Sequence, residues 1–209
     1  MSSVVIVDSN CANLESIYKA ARAVELNPYV SDNQGDIAGA KAVIFPGVGS
    51  FAHASSVIAD KNLCDILLET ISKNKPFLGI CLGMQLLFPE SEEAITSSHL
   101  APGLGVITGK VKRFPSNLPV PHVGWNQVDP VIEHPLFDGL EGSYFYFTHS
   151  YYAEPKHKKN ILAVTEYGFP FTSAVIKGNL FGVQFHPEKS GPAGLRLLTN
   201  FGKIIADHG

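Results

Sequence analysis

One heptapeptide, Gly79-Ile80-Cys81-Leu82-Gly83-Met84-Gln85, constrains the fold more than any other stretch of this chain. The apolar run Pro76-Phe77-Leu78 leads into it, and the helix-compatible Met84-Gln85-Leu86-Leu87-Phe88 follows. A strand that turns sharply into a helix with a nucleophile at the corner has this form. It leaves the central side chain at the top of a sheet. Glycines two residues to either side of Cys81 let neighbouring backbones pass without a Cβ clash. A thiol at a helix N-terminus faces the positive end of the helix dipole, which favours the thiolate, the reactive form.

The rest of the chain supplies the sheet that such a corner needs. Short apolar runs alternate with helical patterns, the signature of an α/β fold with a mostly parallel sheet. Val4 to Val7 is a first strand. Leu14, Ile17, Tyr18, Ala21 and Val24 mark one face of a helix ending before Pro28. Tyr29-Val30 is a short second strand, and Ala42 to Phe45 a third, stopped by Pro46-Gly47-Val48-Gly49. Helical stretches cover about Ser50 to Thr70, with a break near Asp60-Lys61-Asn62. From about Leu104 the texture changes. Val106, Ile107, Val111, Val123, Trp125, Val128, Tyr144 to Phe147, Ala163-Val164, Ala174 to Ile176 and Phe181 to Phe185 read as strands. They form an added, partly antiparallel section of the same domain, since no linker rich in Pro, Gly or Ser divides the halves. A last helix covers roughly Ala193 to Ala206, with Pro192 suited to its first turn.

At 209 residues the chain fits one domain, residues 1–209, with a sizeable core. Hydrophobic residues at 45% against 17% charged exclude disorder. A net charge of -3 without a basic block leaves no electrostatic footprint for nucleic acid. Lys156, His157, Lys158 and Lys159 read as a solvated loop. Three cysteines, Cys11, Cys64 and Cys81, lack C-x-x-C or metal-like spacing. Their odd count points to a reducing compartment, and Cys64 reads as core. No apolar run reaches about 18 residues, so no membrane span is expected. The start has no charged segment before Val4, so no signal peptide is read. The expectation is a cytoplasmic protein that needs neither metal nor cofactor.

A cysteine after an apolar run is also the pattern of a small buried hydrophobe, so the chemistry depends on a second segment. Gly182-Val183-Gln184-Phe185-His186-Pro187-Glu188-Lys189-Ser190 provides it. Its apolar residues form a strand interrupted by Pro187. Near a strand end, His186 and Glu188, two apart, project to one side. A cysteine nucleophile needs a base, and the base needs a carboxylate to fix its tautomer. His122 and His149 compete for the base role, but neither has a carboxylate two residues on. Acyl transfer also needs N–H donors where negative charge develops. The candidates are the Leu82 amide and one from the glycine-rich Val48-Gly49 segment.

These motifs together resemble the class I (triad) glutamine amidotransferases: Gly-Ile-Cys-Leu-Gly-Met-Gln, then His-Pro-Glu-Lys-Ser, with Pro-Gly-Val-Gly upstream. Asp8 through Leu14, Pro121-His122-Val123-Gly124-Trp125-Asn126 and Tyr144 through Tyr151 narrow the resemblance to glutaminase subunits of imidazole glycerol phosphate synthases. The resemblance spans nearly the whole chain and implies a flavodoxin-like amidotransferase fold. It implies Cys81 as nucleophile, His186 as base and then acid, and Glu188 as orienter. The L-glutamine pocket maps to Gly49, Leu82, Gln85, Glu93, Ser150 and Tyr151. Glu93 would accept the substrate ammonium. Asn13, Trp125, Tyr146 and Lys189 would lie near the face that docks a (β/α)₈-barrel cyclase in a heterodimer. One departure stands out: Ser9-Asn10-Cys11-Ala12 replaces the glycine-rich segment that many relatives carry after the first strand. Another amidotransferase subunit or a γ-glutamyl hydrolase is the alternative on the same residues.

Overall fold

The computed structural model describes residues 4–95 and 102–208. Its elements run β1 (Val4–Val7), α1 (Leu14–Ala23), β2 (Pro28–Ser31), α2 (Gln34–Gly39), β3 (Ala42–Gly47), α3 (Phe51–Asp60), α4 (Cys64–Ser72), β4 (Phe77–Cys81), α5 (Leu82–Gln85) and α6 (Glu92–Ile95). The second half has β5 (Gly109–Arg113), β6 (His122–Gln127), β7 (Asp129–Pro130), β8 (Tyr144–His149), β9 (Tyr151–Pro155), β10 (Ile161–Glu166), β11 (Pro170–Lys177), β12 (Leu180–Val183) and α7 (Gly191–His208).

The central sheet is parallel in the order β2-β1-β3-β4-β12, and β11, β10 and β7 extend it antiparallel. β9 and β5 branch from β11. The α/β expectation and the added antiparallel section both hold. Strands β1 and β4 are buried along their whole length, as apolar runs covered on both faces must be. One hydrophobic cluster lies under α1 and α7, and the other under α2, α3 and α4.

β6 and β8 form a separate two-stranded sheet. Its alternation is clean. Phe145, Phe147, His122 and His149 point inward, while Val123, Trp125 and Tyr144 face solvent.

Some expectations shift. Val106 and Ile107 lie in loop, because that segment hydrogen-bonds across the end of α5: Leu104 N to Leu86 O and Ile107 N to Leu87 O. Val128 sits between β6 and β7, where the chain passes from the small sheet to the large one and its N–H donates to Ser143 O. Strand β12 stops at Val183, short of Phe185. α2 went unread because it is a short polar turn started by Asn33, whose side chain accepts from the N–H groups of Gly35 and Asp36. β9, only one residue beyond β8, was unread as well.

Candidate active site

Cys81 ends β4 with φ 53° and ψ −108°, a left-handed corner for a residue with a Cβ. Such strain persists only where the surroundings over-determine it, and here glycines do so. A Cβ on Gly83 would come within 1.9 Å of Phe45 O, and one on Gly79 within 2.8 Å of Gly83 O. The corner is thus pressed against β3, with Gly47 paired to Cys81. α5 is only four residues long, shorter than the expected run to Phe88. A single turn has little aligned dipole, so the side chains around the sulfur must do most to stabilise a thiolate.

On the other side of β4, Val183 of β12 pairs with Ile80, so the chain leaving β12 passes beside Cys81. His186 follows, then a 3-10 turn at Pro187–Lys189 carrying Glu188. Backbone bonds hold this turn against β8. His186 N–H donates to Tyr146 O at 2.9 Å, and Ser190 Oγ accepts from Tyr146 N–H while donating to His186 O. His186 is 1% exposed, and its Nδ1 lies 2.8 Å from Glu188 Oε1. Burial opposes an imidazolium here. The Cys81 sulfur and the Glu188 carboxylate outweigh it and raise His186 to about 10. Among the described residues Nε2 has no hydrogen-bond partner. The sulfur is the interaction partner on that side: its interaction with the ring is the largest of those that raise His186, and Nε2 is the nitrogen left for proton transfer.

Cys81 opens on a pocket of about 310 Å³. All six residues expected to bind glutamine line it: Gly49, Leu82, Gln85, Glu93, Ser150 and Tyr151. Glu93 accepts the Phe51 N–H at 2.7 Å, where the first turn of α3 complements its charge. Gln85 is buried, and its Nε2 donates to Tyr151 O at 3.1 Å and Gln184 Oε1 at 3.0 Å. Both amide hydrogens are thereby used, so only its carbonyl oxygen remains for a ligand. Leu82 begins α5, where an N–H has no carbonyl one turn back. Val48, expected as an oxyanion donor, differs: its N–H donates to Cys11 O. Gly49, at φ 100°, is then the remaining candidate donor of that segment.

Pro121, Thr148 and His149 also line the pocket and went unread as site residues. His149 Nδ1 is 2.7 Å from Tyr151 O, and its Nε2 is 3.1 Å from His122 Nδ1. A carbonyl can only accept, so His149 carries its proton on Nδ1. His122 must then donate from Nδ1 and accept, at Nε2, from Asn126 Nδ2 at 3.4 Å. Burial lowers His122 to about 4 and His149 to about 3, in the latter case against the Tyr151 bond and with the charges of His122 and His186 adding to burial. Gln184 was read only as part of a strand, although a polar residue inside an apolar run was the available signal.

None of the four residues expected near a partner lines the pocket. Trp125 is 55% exposed and meets Tyr146 edge-on at 6.2 Å. Lys189 Nζ lies 5.9 Å from the Tyr146 ring centre. Asn13 caps α1, accepting from Ser16 N–H at 3.3 Å, and α1 packs against the turn bearing Lys189.

The family model for glutamine amidotransferase class-I matches residues 5–205. The chain is 44% identical over 208 residues to imidazole glycerol phosphate synthase subunit HisH of Symbiobacterium thermophilum, covering 99% of this chain and 96% of that one. It is 45% identical to the HisH subunit of Methanosarcina acetivorans, covering 96% and 98%. A chain of the PurLQS structure from Thermotoga maritima superimposes with a TM-score of 0.77 over 97% of this chain and 98% of that one, at 17% identity. With relatives this similar along its whole length, and a family model that matches residues 5–205, the chain belongs to the class-I glutamine amidotransferases.

Proposed function

We propose that the chain is the glutaminase subunit of an imidazole glycerol phosphate synthase in histidine biosynthesis. It hydrolyses L-glutamine and passes the ammonia to a (β/α)₈-barrel cyclase in a heterodimer. The observation that carries this reading is Cys81, backed by the His186–Glu188 pair, opening on a pocket lined by Gly49, Leu82, Gln85, Glu93, Ser150 and Tyr151. The full-length likeness to HisH subunits selects the synthase.

The reaction begins with the Cys81 thiolate beside a protonated His186, whose raised basicity favours the imidazolium. The thiolate attacks the γ-carboxamide carbon, a C–S bond forms, and the carbonyl electron pair moves to oxygen. The Leu82 and Gly49 N–H groups hold that oxyanion. His186 gives its proton to the amide nitrogen, the C–N bond breaks, and ammonia leaves a γ-glutamyl thioester. Neutral His186 then takes a proton from water as the oxygen adds to the thioester carbon. The C–S bond breaks, returning the thiolate and the γ-carboxylic acid, which ionises to glutamate. Glu188 keeps the Nδ1 proton in place throughout, so Nε2 always faces the reaction.

Ammonia protonates in bulk water and ceases to be a nucleophile, so it must enter the partner directly. The exposed Trp125, with Tyr146, Lys189 and Asn13, forms the docking face. Aromatic side chains beside a cation are the composition of interface anchors. Replacing Cys81 by Ala in the assembled pair tests the whole reading. Glutamine-dependent product falls by at least about ten-thousand-fold, because the covalent route is lost, while ammonium-dependent product persists. Unchanged glutamine use overturns the assignment.

A further inference from the structure

We propose that Gln184 is a further catalytic residue: its side-chain amide donates to the Cys81 thiolate and holds the sulfur toward the substrate. This deepens the glutaminase reading above and rests on Cys81 being its nucleophile.

The placement follows from register. Val183 pairs with Ile80 in the parallel β4–β12 ladder, so the next residues, Gln184 and Cys81, leave their strands side by side. Gln184 is 0% exposed, and its backbone N–H is fixed to Ser173 O at 2.9 Å. Its Nε2 lies 3.6 Å from Cys81 Sγ, within reach for a bond to the large sulfur atom.

The direction of this amide is set by its neighbours. The Tyr151 carbonyl accepts only, so Gln85 must turn its NH₂ group toward it. That NH₂ group also meets Gln184, which must therefore present its oxygen to Gln85. Gln184 is left with its NH₂ group facing the sulfur. Rotating either amide by half a turn would set two donors or two acceptors against each other inside the protein, at the cost of unsatisfied buried groups. The orientation is thus wired from a backbone carbonyl to the nucleophile. The sulfur gains from such a donor, because α5 is one turn long and offers little aligned dipole.

The ionisable groups around the sulfur are His186 with Glu188 behind it, His149 from β8, Tyr151 from β9 and Glu93 from α6. All of them remain in a Gln184→Met variant, which keeps the volume of the side chain and removes only the amide. The test is the pH dependence of Cys81 alkylation by iodoacetamide, followed on the Cys81 peptide by mass spectrometry. In Gln184→Met the midpoint rises by about one pH unit, the size of a hydrogen bond to a charged group. The plateau rate at high pH stays level or increases, because a less stabilised thiolate is the better nucleophile. A purely structural role would lower the plateau and leave the midpoint where it was. Gln85→Met frees the Gln184 amide to turn and gives a smaller upward shift. In the unaltered chain, the Gln184 side-chain ¹⁵N–¹H resonances move when Cys81 is alkylated. A folded Gln184→Met variant with an unmoved midpoint overturns the proposal, and so do resonances indifferent to alkylation. Iodoacetamide needs no glutamine turnover, so this result is separate from the fate of the glutaminase assignment.

Discussion

His186 and His149 are both buried beside the same pocket, yet one is driven to about 10 and the other to about 3. Desolvation pushes both toward the neutral form. What separates them is the company of anions. His186 has a carboxylate on Nδ1 and a sulfur on its far side, so charge is welcome there. His149 has a carbonyl on one nitrogen and a second neutral imidazole on the other. A carbonyl dipole is too weak to offset burial, and the nearby His186 charge opposes a second cation. In the proposed reaction one histidine carries a proton to a leaving group, and the other holds a carbonyl still. Burial by itself makes an inert imidazole; the anionic partner makes an acid.

The largest effects fall on the charged member of the pair. His186→Ala removes the proton donor and lowers glutamate release by at least about a thousand-fold. Glu188→Gln keeps a side chain of the same shape and removes the anion. Its loss is about a hundred- to ten-thousand-fold, in line with a mis-held tautomer. The alkaline limb of kcat/KM also moves to lower pH, because His186 loses one of the two anions that raise it. An alkaline limb unmoved by Glu188→Gln would break the contrast, since the carboxylate would then not be the source of the raised basicity.

The same contrast was partly legible in the sequence. A carboxylate two residues after His186, and none so placed after His122 or His149, singles out the histidine that the structure pairs with a carboxylate, because a local pair needs only local geometry. The corner at Cys81 was equally legible, since two glycines in a fixed frame announce close backbone approach. What sequence could not supply were contacts across the sheet. The bond from Gln184 to Cys81 depends on which strand lies beside β4 and in what register. The capture of the Val48 N–H by Cys11 depends on how two loops meet. The imidazole chain from Asn126 to Tyr151 joins β6, β8 and β9, and nothing local in the sequence links its members. The pocket residues carried over by resemblance meet at one cavity, while the length of α5 and the strands at Val106 and Val128 were misjudged. Tertiary hydrogen bonds overrode local apolar pattern at those places.

A second effect, intermediate in size, appears in stability. Unfolded, His149 and His122 titrate near 6.5; folded, at about 3 and about 4. Between these values unfolding takes up protons, so their contribution is complete above pH 6.5 and is lost as pH falls, toward 4 for His122 and toward 3 for His149. Each histidine adds a slope of up to about 1.4 kcal/mol per pH unit, over a narrower range for His122, whose shift is smaller. His186 has the opposite sign. Its contribution is complete below pH 6.5 and fades as pH rises toward 10. Calorimetric melts across this range should therefore fall on both sides of neutrality, and His149→Asn should flatten only the acid side. An acid side left equally steep by that variant would remove His149 from the account.

The smallest effect tests what the neutral histidine is for. His149→Asn places an amide nitrogen close to the position of Nδ1 and keeps the donor to Tyr151 O. His149→Phe fills the same aromatic surroundings, among Phe114, Phe147 and Phe171, without a donor. With one bond lost from the Tyr151 carbonyl, Gln85 becomes less firmly held. KM for glutamine then rises about fivefold in His149→Phe, the value of one neutral hydrogen bond, while kcat changes little. In His149→Asn, KM stays near that of the unaltered chain. Equal KM values in the two variants would mean that the ring fills space and the bond to Tyr151 positions nothing. A fall in kcat as deep as that of His186→Ala would dissolve the distinction between the two histidines altogether, because it would put His149 in the proton path rather than beside it.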